Sequence, residues 1–400
     1  MSPKKKVAVF LGGAAPEHDV SVITGLQVLD ALDRDLFDAF PVYIALNGTW
    51  LTGEALRKRE SYIPAPGSKG LEVVTLRPRQ GQKQAHLVTG NQGIFKKERE
   101  ITLDFAIPAF HGAYGEDGGI QGMLEVCGVP YSGMRVMASA LLMNKVATKH
   151  MLAGKGIPLL PFHVIERPSK GLLILAQELQ SLYPDIAFPC CAKPVSLGSS
   201  IGVAKVKNWD ELASILPMIF QYDSAAILEP FVPNLVEYNV AVCRLGGKLR
   251  SSAIERPKHS DELLDFKTKY LSGDGKTDGP KTTNAVSEGM LSLTRDINPS
   301  LDEVMENNIR TWAETAFDVL GGTGAPRFDF LCDRQTGGIW FNEGNACPGS
   351  FGFFLWEAAK DPISFSVLLE MMIEEGETCF NSRRLPDDPV PEDARLLPRK

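Results

Sequence analysis

The 400-residue sequence has no apolar run of the ~18 residues that a membrane-spanning helix requires. It has no C-x-x-C pair. Its seven cysteines, Cys127, Cys190, Cys191, Cys243, Cys332, Cys347 and Cys379, are odd in number and lie mostly in apolar runs. They predict reduced, mostly buried thiols in a cytoplasmic protein, not disulfide staples or zinc ligands. The six histidines show no metal-ligand spacing. Basic charge is also short: 42 Lys and Arg against 49 Asp and Glu leave a net charge of −7. A nucleic acid or an anionic membrane receives no general electrostatic help, and neither is expected as a partner. The G-x-x-x-x-G-K-[ST] phosphate loop and internal repeats are absent too. The opening MSPKKKVAVFLGG is basic and then apolar, but the apolar part is short and runs into glycine. It reads as a buried first strand, not a signal peptide.

What remains is ordinary for a globular protein, 44% hydrophobic and 23% charged, and too long for one typical core. Residues 7–12 form an apolar strand, 17–33 carry helical spacing, and 37–45 form a second strand, a parallel α/β pattern. Residues 52–100 read as an insertion of loops and minor strands. A strand at 105–112 leads into a glycine-rich loop, and a helix follows at 136–155. Strand signals then dominate from LLPFHVI through PCCAKPV, VAKV, AILEPFV and EYNVAVCR to KLRSSAIE, with helices near 171–182 and 209–221. Residues 259–289 are polar and Gly-rich, a candidate mobile loop. A helix at 299–319, two apolar strands and a helix at 361–374 precede a Pro-rich tail.

Four constellations carry chemistry. PRFDFLCD and IWFNEGN can pair as a hairpin, and alternation puts Glu343 and Asn345 on one face with Asp329 across from them. Two carboxylates and an amide oxygen are hard ligands suited to Mg²⁺. Alternation alone favours a solvated polar face on an edge hairpin, but the large apolar neighbours weigh against it. KPVSLGSSIGV (193–203) can wrap a phosphate with backbone N–H groups, and a ligand-free hairpin turn would look the same. HGAYGEDGGIQG (111–122) places His111 at a strand end before glycines that admit close approach, or is a structural turn. Glu17 in GGAAPEHDVS stands at a strand-to-helix junction where ligands bind, or is a first-turn acid favoured by the helix dipole.

In their order along the chain, these motifs resemble the D-alanine–D-alanine ligases of the ATP-grasp superfamily. The likeness runs from GGAAPEHDVS through PAFHGAYGEDGGIQGMLEVCGVPYSGMRVMASALLMNK, KPVSLGSSIGV, ILEPFV, DFKTKYLS and RFDF to NEGNACPG. It implies a three-domain α/β and α+β fold. An N-terminal α/β domain (1–144) would precede a central domain (145–236) and a C-terminal catalytic domain (237–383), with ATP between the last two and a disordered tail at 384–400. Lys145 and Lys193 would contact the ATP phosphates, and the turn carrying Ser199 and Ser200 would close over them. Glu229, Phe231 and Val232 would line the adenine pocket, and Glu237 would hold the ribose. Asp329, Glu343 and Asn345 would hold two Mg²⁺, with Mn²⁺ as a substitute. Lys269 and Tyr270 match a lid within 259–289. Glu17, Ser199 and Tyr270 match a hydrogen-bonded triad at the first amino-acid site, where Glu17 faces the substrate ammonium. His111 falls at the substrate, and Arg327 matches the arginine that stabilises the oxyanion. A homodimer is common in the family.

The segment FNEGNACPGSFGFFLW (341–356) departs from that pattern. Gly349, Phe354 and Leu355 fall at acceptor-binding positions, and Phe354 stands where the family has a serine that helps bind the acceptor carboxylate. A phenyl ring donates no hydrogen bond, and an unpaired carboxylate against it is costly. Either the acceptor site is reshaped, with Ser350 or another donor moved in, or it takes a different nucleophile, or the segment slides and its rings pack the domain. The leading expectation is therefore an ATP-dependent carboxylate–amine ligase of the D-alanine–D-alanine type. The alternatives are the same donor chemistry with another acceptor amine, or a non-catalytic ATP-binding sensor.

Overall fold

The computed structural model describes residues 3–62, 70–78, 85–89, 98–198, 201–258, 295–383 and 390–396. Ser199, Ser200, Lys269, Tyr270 and the segment 259–289 lie outside the described residues.

Three sheets organise the chain. The first begins with β1 (Lys5–Gly12), whose last six residues are all buried, as a continuous apolar run predicts for a central parallel strand. β1 pairs in parallel with β2 (Phe37–Ile44) and with β7 (Phe105–Pro108). Helix α1 (His18–Ala31) makes the crossover between β1 and β2. Residues 52–100 do more than loop out. β3 (Trp50–Thr52), β4 (Glu72–Arg77), β5 (Ala85–Thr89) and β6 (Glu100–Leu103) extend this sheet to seven strands in the order β6-β5-β4-β3-β2-β1-β7. β5 is buried along its whole length, so its sequence lacks the alternation that marks a half-buried strand.

The residues expected as one helix at 136–155 form two: α3 (Val136–Met143), after α2 (Gly119–Cys127), and α4 (Lys145–Leu152). Asn144 separates them with extended backbone angles, and its side chain accepts from Ala147 N–H as an N-cap. The break also frees Lys145 N–H to donate to the Val195 carbonyl (3.0 Å). The second sheet holds β8 (His163–Glu166), β9 (Cys190–Pro194), β10 (Ala204–Val206) and β11 (Ala225–Pro230) in the order β10-β9-β11-β8. It is covered by α5 (Ala176–Leu182) and α6 (Trp209–Tyr222), whose apolar residues share a core with the sheet.

The third sheet runs β14-β13-β12-β15-β16. Its strands are β12 (Leu235–Leu245), β13 (Lys248–Pro257), β14 (Arg295–Ile297), β15 (Arg327–Asp333) and β16 (Ile339–Asn345), backed by α7 (Glu303–Val319). β15 and β16 form the expected hairpin, with a bulge after Asp329. A left-handed turn at Ser350, Phe351 and Gly352 then leads into α8 (Phe353–Glu357) and α9 (Phe365–Arg383). α9 runs past 374, where the sequence suggests a stop. Gly376 is a packing residue: a Cβ there would lie 2.3 Å from the Tyr131 carbonyl oxygen. Phe351, Leu355 and Trp356 join the core shared by α1, β1 and α9, so much of the aromatic run is structural.

Candidate active site

The hairpin supplies the centre of the site. Asp329 and Glu343 are direct cross-strand partners, and Arg327 opposes Asn345. Asp329 is buried, and its two oxygens accept from Arg327 Nε and Nη2, each at 2.7 Å. Asn345 Nδ2 donates to Asp329 Oδ2 at 3.0 Å. Glu343 lies 3.3 Å from Lys145 Nζ, which also donates to the Leu197 carbonyl (2.8 Å). Among the described residues no three His, Cys, Asp or Glu side chains converge on one metal position. The donor set is two carboxylates and an amide oxygen, which fits a hard cation that takes its other ligands from phosphate and water.

Of these groups, Lys145, Glu343 and Asn345 line an open cleft together with Gly112, Glu116 and Gly198, among others. Glu17 stands beside it. Its side chain is 3% exposed, and Oε2 has no hydrogen-bond partner among the described residues. A Cβ at Gly112 would lie 2.3 Å from that oxygen, and Gly112 has φ +78°, so a glycine is required there on both counts. A Cβ at Gly198 would lie 3.4 Å from Oε1, which brings the 193–203 loop to the same carboxylate. A buried, unsatisfied carboxylate oxygen is expensive, and a ligand cation relieves it.

Glu116, next in the same loop, was not singled out from sequence. It accepts from Gly112 N–H (2.8 Å) and Cys347 N–H (3.0 Å), tying the N-terminal loop to the segment after β16. Burial pushes its pKa up to about 7, and the negative charge of Glu17 adds to the effect against those two N–H donors. His111 is buried, with Nε2 2.8 Å from Thr24 Oγ1, which accepts from Ser350 N–H (3.1 Å). Burial lowers its pKa to about 4, opposed by a hydrogen bond to the Cys347 backbone, so the ring is neutral at neutral pH.

Between the second and third sheets lies a buried charge cluster. Lys193 Nζ donates to Glu229 Oε2 (2.7 Å) and to Asn342 Oδ1 (3.0 Å). Lys149 Nζ lies 2.5 Å from Glu229 Oε1 and is 1% exposed. Burial works against the Glu229 carboxylate, but the two lysines outweigh it and hold its pKa down. Lys149 escaped the sequence reading because one lysine among several on a helix carries no signal until the sheet beneath it is known. Val232 packs with Leu160 and Leu331 in an apolar seat, and Lys205 Nζ sits 3.8 Å from the Phe231 ring centroid. Glu237 is half-buried on β12 opposite Leu331.

The acceptor-side residues part company. Leu355 is fully buried in the core, and Gly349 begins the turn before α8. Ser350 Oγ donates to Gln27 Oε1. Phe354 packs edge-on to Phe353 and carries the Arg295 guanidinium 4.8 Å from its ring centroid. Arg295 in turn donates from Nη1 to Glu255 Oε2 (2.8 Å), and Glu255 Oε1 lies 3.7 Å from Arg327 Nη1. Neither Arg295 nor Glu255 was legible as a site residue.

Family models described as D-ala D-ala ligase N-terminus and D-ala D-ala ligase C-terminus match residues 6–134 and 151–374. A D-alanine–D-alanine ligase of Thermosipho africanus is 32% identical over 94% of this chain and 95% of its own. The structure of the D-alanine–D-alanine ligase from Coxiella burnetii superimposes with TM-score 0.73 over 95% of this chain and 96% of that one, at 22% identity, a likeness of fold. The VanG D-Ala:D-Ser ligase from Enterococcus faecalis gives 0.71 at 25% identity over 94% of this chain and all of its own. The chain belongs to the D-alanine–D-alanine ligase family of ATP-dependent carbon–nitrogen ligases, and its three sheets are those of the ATP-grasp fold.

Proposed function

We propose that the protein joins two D-alanines, activating the carboxylate of the first with ATP. The observation that carries the donor half is Glu17: a buried carboxylate with an open oxygen, at the cleft edge, is a seat for a substrate ammonium. The donor carboxylate then extends toward Lys145 and the hairpin. Phe231 and Val232 hold adenine, Glu229 accepts from its amino group, and Glu237 binds the ribose. Lys145 and Lys193 reach the phosphates, assisted by Ser199 and Ser200.

A carboxylate oxygen of the donor attacks the γ-phosphorus, the bond to the β-phosphate oxygen breaks, and ADP leaves. The amine of the second substrate, having given one proton of its ammonium to solvent, attacks the acyl carbon, and the second proton it sheds leaves on the released phosphate as HPO₄²⁻. Arg327 holds the tetrahedral oxyanion, which collapses with release of phosphate. Asp329, Glu343 and Asn345 would hold two Mg²⁺ (or Mn²⁺), which would supply charge neutralisation for phosphoryl transfer. Arg327 and Lys145 pair with those same carboxylates, which a bound cation would share. Neutral His111, tied through Thr24 to Ser350, orients the acceptor turn. Lys269 and Tyr270, in the 259–289 lid, exclude water from the acyl phosphate, and Tyr270 joins Glu17 and Ser199. The protein works as a cytoplasmic homodimer without membrane or nucleic-acid partners. Among the described residues no helix is long and apolar enough to cross a membrane.

One observation favours a second reading. Phe354 offers no hydrogen bond to an acceptor carboxylate, which favours an acceptor amine other than D-alanine. Phosphate release is measured with ATP and Mg²⁺, first with single amino acids of each configuration and then with pairs, followed by mass spectrometry. Release with D-alanine alone and the D-alanyl-D-alanine mass are expected. Release only with another second amine would establish the alternative acceptor. ATP binding with no release for any pair would overturn the ligase reading.

A further inference from the structure

Arg295 is chemically incomplete. Its guanidinium is clamped at one end by Glu255 and lies over the face of Phe354, which fixes its plane. The side chain is only 24% exposed, and its Nε is buried with no hydrogen-bond partner among the described residues. A guanidinium brings five N–H donors, and leaving one buried and unsatisfied is costly. The carboxylate that holds Arg295 also faces Arg327 at 3.7 Å and accepts from Asn239 Nδ2 at 3.0 Å. Arg327 in turn grips Asp329. Two guanidiniums and two carboxylates therefore run in one chain from the Phe354 ring to the reaction centre, charge for charge.

We infer that Arg295 is the specificity-determining residue for the acceptor, binding its carboxylate through the Nε edge that has no partner among the described residues, in place of the hydroxyl that Phe354 lacks. This rests on the ligase reading above. Phe354 then acts as the platform on which the arginine lies. The site takes an amine that bears a carboxylate, and it discriminates against the same amine when the carboxylate is neutralised. A charge-assisted hydrogen bond to a planar fork is stronger than one from a hydroxyl.

The test is a competition in one mixture. The full-length protein is given ATP, Mg²⁺, D-alanine and D-alaninamide; the amide has no carboxylate to activate and can only accept. Mass spectrometry reads the ratio of D-alanyl-D-alanine to D-alanyl-D-alaninamide, which does not depend on the fraction of active protein. The unsubstituted chain is expected to favour the dipeptide acid strongly, and Arg295→Met to narrow the ratio by about tenfold or more. Arg295→Lys keeps a charge beside Glu255 and so preserves the local fold. It loses the flat edge, and the ratio is expected to narrow there too. Total rates falling while the ratio stays put in both variants would overturn the assignment and make Arg295 a prop for Glu255 and Arg327. No dipeptide from the unsubstituted chain would overturn the parent reading and this inference with it; dipeptide formation with an unmoved ratio overturns the inference alone.

Discussion

Glu17 and Gly112 show how tightly single residues are set at this cleft. The carboxylate oxygen of one occupies the space that a side chain on the other would fill, 2.3 Å from the virtual Cβ. Gly112→Ala is therefore expected to displace Glu17 as well as strain a backbone at φ +78°, the latter costing about 1–2 kcal/mol. The measurable sign is a donor KM raised well beyond what the drop in Tm explains. Lys149 gives a complementary case. Lys149→Met leaves Glu229 with Lys193 alone inside a buried cluster, and a loss of about 1–3 kcal/mol is expected in urea unfolding. ADP affinity, read by calorimetry, should fall as the Glu229 carboxylate loses its second anchor. Glu17, Glu343 and Asn345 could be picked out of the sequence because unusual residues stood at strand ends. Lys149, Glu116, Glu255 and Arg295 could not, since each acquires its role from a partner 40 or more residues away.

Asn144 decides the course of two elements. The helical spacing of 136–155 runs through it without interruption, so the pattern predicts one helix; a local cap and a backbone bond to Val195 make two. Asn144→Ala is expected to cost about 1 kcal/mol in unfolding free energy and to loosen Lys145 at the cleft. The β15–β16 hairpin was legible down to the pairing of Asp329 with Glu343, because alternation and a polar turn fix the register. The bulge after Asp329 was not, since nothing in the apolar run announces an extra residue. Helix α9 and the loop before β15 meet at Glu375, whose oxygen accepts from Gly324 N–H (2.5 Å). Burial pushes that carboxyl up from 4.5 to about 7, partly opposed by this bond and by Arg135. A raised acid pKa means that the folded state holds a proton the unfolded state has lost. The contribution is whole below pH 4.5 and fades as pH rises through 7, by up to about 3 kcal/mol. Glu375→Gln should flatten that slope, read as Tm against pH from 4.5 to 8; an unchanged slope would place the titration elsewhere.

Across the whole molecule, the cleft exists only because three sheets meet. The loop after the first sheet contributes Gly112 and Glu116, the loop after β9 of the second contributes Leu197 and Gly198, and the hairpin of the third contributes Glu343 and Asn345. The likeness of motif order made this assembly readable in advance, but the acceptor side was readable only as a mismatch at Phe354. Removing divalent cations with a chelator is expected to abolish turnover and to restore it on adding Mg²⁺, while the Lys193–Glu229–Lys149 cluster keeps the fold intact by circular dichroism. If ATP activates the donor as an acyl phosphate, one donor carboxylate oxygen leaves within the released phosphate. D-alanine labelled with ¹⁸O in its carboxylate tests it directly, through the mass of the phosphate released as dipeptide forms. One ¹⁸O per released phosphate from fully labelled substrate is the predicted result. Dipeptide accompanied by unlabelled phosphate would contradict the account.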